Sequence, residues 1–268
     1  MGSLVIAAFV FVCLFGGACA GMWASRRLKE QHLTKETQEA VKLGVGMVAA
    51  MASLILGLMT ASVKGNFDST SRDVQQYTTL LITLDVALKH YGPDADAARA
   101  ALTTYTRHAL DETWPPAQAT PGQTAQARAA QAHAPHALVN SEDSEQRLAQ
   151  VGRSIRALDP KTPDQNELRS EAIERYKALS ALRWVLIEES AAQVPTIFTV
   201  VLIVWLTFIF MSFGLFSPIN AVSVSVFLLC ALSLGGAIFL ILEMSTPFDG
   251  IIIVPPDAMQ KALQHMVR

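Results

Sequence analysis

Four long apolar runs constrain this chain more than any other feature of its sequence. They cover residues 4–24, 43–63, 197–216 and 219–242. Each contains the roughly 20 residues that an α-helix needs to cross about 30 Å of hydrocarbon. Four such helices in the core of a soluble protein would need a larger polar shell than a chain with 16% charged residues provides. The sequence therefore predicts an all-α, polytopic membrane protein with four transmembrane helices.

The first apolar run also resembles a cleaved signal peptide, because the small-residue triplet at 18–20 is similar to a cleavage site. However, residues 1–3 carry no positive side chain, whereas Arg26 and Arg27 follow the apolar run instead of preceding it. This order of charges favours a retained transmembrane helix.

The link between the last two runs determines much of the predicted topology. Residues 216–218 form so short a connection that the two spans must be an antiparallel hairpin. Four crossings then place both termini and any segment between the second and third spans on one side of the membrane. Arg26 and Arg27 in the first loop and Lys64 and Arg72 beyond the second span give opposing charge signals, so charge alone leaves the orientation open.

A helical domain is predicted at residues 64–194, between the second and third spans. The second span is expected to continue out of the membrane as one helix, since apolar residues repeat at helical spacing up to Gly92 and Pro93. Further helices are predicted at 94–114, 144–158 and 162–193. The stretch at 115–140 is rich in Ala, Gln and Pro and is predicted to be a mobile linker. Residues 1–63 and 195–243 hold the spans, and residues 244–268 form a C-terminal tail.

One face of the second span is the candidate functional surface. Its members recur at steps of three or four and are small or weakly polar: Gly46, Ala50, Ser53, Gly57, Thr60 and Lys64. Small residues at this spacing let helices pack closely, which is one interpretation. The other is the lining of a pore, with Leu54 and Leu58 as an apolar constriction. Glu243, at the end of the last span, is expected to be a solvated carboxylate.

The sequence contains no motif that indicates catalysis, cofactor binding or nucleic-acid binding. We find no HExxH, glycine-rich phosphate loop, GxSxG or cysteine quartet, and Cys13, Cys19 and Cys230 have no metal-ligand spacing. We therefore predict no enzyme, no metal site and no cofactor. A net charge of -2 also lacks the positive surface that a nucleic-acid binder needs.

Four segments together resemble the bacterial bestrophin-like membrane proteins. They are KLGVGMVAAMASLILGLMTAS at 42–62, WVLIEES at 184–190, WLTFIFMSFGLFSPIN at 205–220 and IFLILEMSTPFDG at 238–250. Bestrophins proper are pentameric, calcium-activated anion channels whose second helix lines a neck. The resemblance implies that Ser53, Gly57 and Thr60 face a central pathway. It also implies that Pro247, Phe248 and Gly250 fix the C-terminal segment against the helical domain, and that this domain and both termini lie in the cytoplasm, below a bacterial inner membrane.

Two departures from bestrophins limit what the resemblance implies. The second span has no Phe between residues 43 and 63, where an aromatic neck is expected. The tail offers only Asp249 and Asp257 as carboxylates, too few for the roughly six oxygen ligands of a calcium site. Calcium gating is therefore not expected.

Two hypotheses of function follow. The first is a homo-oligomeric ion channel in a lipid bilayer, conducting small ions, anions by analogy, along the second helix. The alternative is a non-conducting membrane scaffold or sensor whose helical domain binds a partner and whose small-residue face only packs helices.

Overall fold

The computed structural model describes residues 2–28, 34–115, 142–191 and 196–267, which form eight α-helices and no β-strand. The helices are α1 (Gly2–Ser25), α2 (Lys35–Tyr91), α3 (Asp96–Thr113), α4 (Glu142–Arg156), α5 (Pro163–Ala191), α6 (Thr196–Leu215), α7 (Ala221–Met244) and α8 (Asp257–Val267). α1, α2, α6 and α7 are long and apolar enough to cross a membrane. The predictions of an all-α chain and of four candidate spans are confirmed. The predicted linker at 115–140 lies, apart from Pro115, outside the described residues.

α2 is a single helix of 57 residues that contains the second apolar run and continues beyond it. No proline interrupts its backbone hydrogen bonds between Lys35 and Tyr91. The helix ends where Gly92 adopts a φ of 104°, a left-handed conformation that favours glycine. Pro93 then begins a short 3-10 turn that leads into α3. The expected continuation of the second span as far as Tyr91 is therefore observed.

The chain divides into two compact units. We call Met1–Gly65 with Gln193–Ser245 the span unit, and Asn66–Ala192 with Thr246–Arg268 the helical domain. Each unit is thus built from two separate stretches of sequence, and α2 contributes residues to both.

Within the span unit, α1 packs along α6 and α7. Glycines bring α1 and α6 close together: a Cβ added at Gly21 would collide with the carbonyl of Met211, and one added at Gly214 with the carbonyl of Ala18. Small residues allow such close contact between helix backbones in a membrane. One apolar cluster of buried residues lies in this unit; its members are Val10, Leu14, Ala18, Ala52, Leu202, Leu206, Ile209, Phe210, Ala231 and Ile238.

The helical domain has its own apolar core, to which α2, α3, α4, α5 and α8 contribute. The largest fully buried side chains of this core are Tyr77, Leu81, Leu84, Leu88, Leu102, Tyr105, Ile155, Leu179 and Leu186. The hydroxyls of Tyr77 and Tyr105 are hydrogen-bonded to each other, and burial raises the pKa of both phenols. Both tyrosines therefore stay neutral and link α2 to α3 through a polar contact inside an apolar core.

The C-terminal segment supplies part of that core. Phe248, Val254, Met259 and Met266 are all buried among the residues of the other helices. The indole Nε1–H of Trp114, at the end of α3, donates to the carbonyl of Val254 at 2.9 Å. The residues after α7 therefore complete the helical domain instead of extending away from it.

Candidate functional site

α2 is the least enclosed of the four candidate spans. Only 6% of its most apolar stretch is buried, compared with 22–33% of the corresponding stretches of α1, α6 and α7. Between residues 43 and 63 the buried side chains are Ala52 and Val63. Most of the surface of this span is therefore available for lipid, for water or for another copy of the chain.

The side of α2 that packs within the span unit is narrow. We call it the packed edge; its buried or half-buried members are Val45, Ala49, Ala52, Leu56, Met59 and Val63. Their steps of three and four residues place them on one line along the helix. The packed edge gives a reference direction from which the other faces of α2 can be measured.

Each member of the predicted small-residue face comes one residue after a member of the packed edge. All six of its members are exposed: Gly46, Ala50, Ser53, Gly57, Thr60 and Lys64. One residue corresponds to about 100° of rotation in an α-helix. We call this face the small-residue stripe, and it lies on the flank of α2 as seen from the rest of the span unit.

Packing within the chain does not require the two glycines of the stripe. A Cβ added at Gly46 or at Gly57 would have no described neighbour within 4 Å. The hydroxyl of Ser53 donates to the carbonyl of Ala49 at 2.8 Å, and that of Thr60 to the carbonyl of Leu56 at 2.8 Å. Since their hydrogens are engaged inside the helix, these hydroxyls present mainly oxygen lone pairs outward.

An apolar ridge faces away from the packed edge. It consists of Leu43, Met47, Leu54 and Leu58, whose exposed fractions are 72%, 66%, 64% and 62%. Leu54 follows Ala52 by two residues, and Leu58 follows Leu56 by two residues, a rotation of about 200°. The two predicted constriction residues therefore point almost directly away from the helices with which α2 packs.

The predicted tail residues lie in the helical domain. Phe248 is buried and meets the ring of Trp114 edge to face, with ring centroids 5.8 Å apart. The carbonyl of buried Pro247 accepts a hydrogen bond from the amide of Val254 at 2.8 Å. Gly250 has a φ of 108°, which a residue with a Cβ adopts only with strain. These features shape the loop at residues 245–256, which connects α7 to α8.

The expectation of a solvated carboxylate at Glu243 is wrong. This side chain is 3% exposed and takes part in a polar interaction. Its position near the end of an apolar helix suggested a group that reaches water, but tertiary packing encloses it. Sequence periodicity does not reveal this burial, because burial at a helix end depends on neighbours that are distant in the chain.

In the described part of the chain, no group of three or more His, Cys, Asp or Glu side chains is placed so that it could bind a metal ion. The three cysteines are free: Cys13 is half-buried, and Cys19 and Cys230 are exposed.

Comparison with known proteins identifies a protein family. The model of the Bestrophin-like domain matches residues 12–259. A bacterial Bestrophin homolog from Klebsiella pneumoniae, crystallised as a tryptophan-to-alanine variant, is similar at 16% identity with a TM-score of 0.69, over 100% of this chain and 97% of that chain. Another structure of the Klebsiella pneumoniae homolog gives 16% identity and a TM-score of 0.67 over 97% of each chain. No curated protein matches. At these identities the similarity to solved structures shows the fold.

Proposed function

Because this chain belongs to the bestrophin-like family, we propose that it is an oligomeric ion channel of a bacterial inner membrane in which copies of α2 line the path. The observation that carries this proposal is the exposure of α2, a helix long enough to span the bilayer yet the least enclosed of the four spans. Lipid alone would favour large apolar residues on every exposed face. Instead, α2 exposes an apolar ridge beside a stripe of small and weakly polar residues.

The directions of these faces fit a ring of subunits. In a ring that places α2 innermost, the side opposite the packed edge points at the axis and the flanks meet neighbouring copies. The apolar ridge then faces the axis, with Leu54 and Leu58 forming a constriction that can gate by dewetting. The small-residue stripe lies between the axis and the adjoining subunit, so that Ser53, Gly57 and Thr60 border the path.

The remaining features of the proposal rest on the family resemblance. We expect a pentamer, with the helical domain and both termini outside the bilayer on the cytoplasmic side. Anions are the proposed permeant ions. Lys64, the last member of the stripe, adds a positive side chain near the exit of the span and is consistent with that selectivity.

A bulky residue in the stripe tests the proposal. We expect Gly57→Trp to abolish chloride flux from liposomes that contain the purified protein, because an indole at this position would fill the space beside the axis. Chloride and potassium flux should be compared, and the mass of the oligomer recorded in the same detergent. A Cβ added at Gly57 has no described neighbour within 4 Å, so we expect the substitution to leave the fold of each subunit intact.

The matched control is Gly236→Trp. Gly236 lies on α7, is exposed, and likewise has no described neighbour within 4 Å of an added Cβ. This variant should conduct like the unmodified protein. Normal flux through a correctly assembled Gly57→Trp oligomer would count against a path along the stripe.

Water access separates a channel from a non-conducting scaffold or sensor, which would pack the same stripe against protein or lipid. After replacement of Cys13, Cys19 and Cys230 by alanine, a Ser53→Cys variant should react with a membrane-impermeant thiol reagent if the stripe borders an aqueous path. An inert thiol, together with tight vesicles, would favour the scaffold.

A further inference from the structure

One side of α1 is left open by the rest of the span unit and ends in an aromatic ring and positive charge. Its exposed residues recur at steps of three or four, and we call them the outer line of α1: Val5, Phe9, Val12, Gly16, Ala20 and Trp23. Arg27 is the next position at this spacing. Trp23 follows Gly21, which is in close contact with α6, by two residues, so its ring points about 200° away from the contact. The outer line is therefore available to lipid.

The length of α1 determines how deep these residues lie in a bilayer. The helix rises about 30 Å between Leu4 and Trp23, which equals the thickness of the hydrocarbon core. Trp23 is 61% exposed and lies at the boundary of that core, where indole rings are enriched in membrane proteins. Arg26 and Arg27 come directly after it and are therefore at the level of the lipid headgroups.

Trp23 and the backbone together position the two arginines. The Cζ atom of Arg27 lies 4.7 Å from the centroid of the Trp23 ring, which is a cation–π contact. The amide of Arg26 donates to the carbonyl of Trp23 at 3.2 Å, and the amide of Arg27 donates to the carbonyl of Ala24 at 2.9 Å. A guanidinium that stacks on a ring through its flat face keeps the N–H groups at its edge for another acceptor.

The positive charge of this turn is not neutralised by the described residues. Arg26 and Arg27 are both exposed, and neither forms an ion pair with a carboxylate in the part of the chain that the structure describes. A planar guanidinium binds two oxygens of one phosphate group through parallel hydrogen bonds. The combination of an apolar line, a boundary ring and two free guanidinium groups matches the chemistry of a phospholipid.

We propose that Trp23, Arg26 and Arg27 bind the headgroup phosphate of an anionic phospholipid whose acyl chains lie along the outer line of α1. Charge favours an anionic lipid, because its headgroup brings no cation. A zwitterionic headgroup carries an ammonium group that offsets the attraction of its phosphate to the arginines. The site needs a membrane around α1 but does not depend on ion conduction, so it can be tested whether or not the channel proposal holds.

The experiment measures lipid binding to the full-length protein in detergent, by native mass spectrometry and by the Tm in mixed micelles. We expect phosphatidylglycerol to be retained and to raise the Tm, and phosphatidylcholine to do neither. Arg26→Gln/Arg27→Gln should bind phosphatidylglycerol about 30-fold more weakly. Its Tm without lipid should be unchanged, because both side chains are exposed. Trp23→Leu keeps an apolar residue but removes the ring beside Arg27, and should weaken binding about two- to fivefold.

The matched control is Arg153→Gln/Arg156→Gln, which removes two exposed arginines of α4 and changes the net charge equally. Arg156 also lies over an aromatic ring, that of Tyr176, at 5.7 Å. This variant should keep the preference for phosphatidylglycerol. An equal loss in the control, or an unchanged preference in Arg26→Gln/Arg27→Gln, would overturn the site.

Two further measurements separate lipid from other occupants of this surface. Inorganic phosphate at millimolar concentration should leave the Tm unchanged, and a rise equal to that with phosphatidylglycerol would replace the lipid by a free anion. The mass of the oligomer without lipid should be the same in Arg26→Gln/Arg27→Gln as in the unmodified protein. A smaller oligomer would instead assign this surface to a contact with a second copy of the chain.

Discussion

At the level of single residues, Asp85 is an enclosed carboxylate that depends on a cation from the next helix. Asp85 on α2 is 1% exposed, and Arg99 on α3 binds it through two hydrogen bonds, with Nε to Oδ1 at 3.0 Å. We expect Arg99→Leu to lower the free energy of unfolding by about 3–5 kcal/mol, because a buried charge would lose its partner. Denaturant unfolding of the purified protein measures this loss.

The control for this pair is Arg175→Leu. Arg175 bonds Glu171 one turn away on α5 at 2.7 Å, but both side chains are about two-fifths exposed. Exposed pairs of this spacing contribute about 0.3–0.5 kcal/mol. Equal effects of the two substitutions would show that burial of Asp85 contributes nothing to the strength of its ion pair.

The sequence could not predict which charged residues are paired or enclosed. Asp85 and Arg99 are 14 positions apart on different helices. In the sequence nothing distinguishes these two residues from the other Asp and Arg residues of the same helices. Glu243 shows the same limit, since its position in the sequence does not reveal that it is enclosed. Polar chemistry inside a helical protein depends on tertiary packing, which periodicity does not encode.

At the level of elements, the spans were predictable because a bilayer requires a fixed length of apolar helix. The extension of α2 to Tyr91 was predictable for a similar reason, since its apolar period is unbroken until Gly92. The roles of the small residues in the spans could not be predicted. Gly17 and Gly21 look no different in sequence from Ser53 and Gly57, yet the structure packs the first pair closely against α6 and leaves the second pair open.

Glycines in close helix contacts and glycines at open positions should therefore respond differently to one added methyl group. We expect Gly214→Ala to destabilise the protein by about 1–3 kcal/mol, the usual effect of overpacking, because the new Cβ would meet the carbonyl of Ala18. Thermal unfolding in detergent measures the change. Gly236→Ala, at an open position on α7, should leave the Tm unchanged. A Gly214→Ala variant with unaltered Tm would show that α1 and α6 can separate without loss of stability.

At the level of the whole molecule, the helical domain depends on residues that follow the last span. Met259 on α8 is fully buried in its core, whereas Ile251, in the turn before α8, is 76% exposed. We expect Met259→Ala to cost about 2–5 kcal/mol through lost burial and a residual cavity. Ile251→Ala should change stability by no more than about 0.5 kcal/mol. Limited proteolysis of the purified protein reports the loosened domain, and equal cleavage of the two variants would contradict this account.

The sequence indicated only part of this organisation. The helices of the inserted segment were expected from their apolar period, and the family resemblance implied that Pro247, Phe248 and Gly250 hold the tail against the domain. Periodicity alone could not assign α8, because its 11 residues contain just three buried side chains: Met259, Ala262 and Met266. Such a short pattern fits a solvent-exposed tail as well as a core helix.

The division of the helical domain into two stretches of sequence has a consequence during synthesis. Residues 66–192 leave the ribosome before α6 and α7 are made, but Phe248, Met259 and Met266 follow those helices. The nascent domain must therefore wait, with part of its apolar core uncovered, until the last two spans have entered the bilayer. A polypeptide whose translation stopped after α7 would contain all four candidate spans but would leave this core exposed to chaperones and proteases. The helical domain can therefore complete its core only after α6 and α7 have been synthesised.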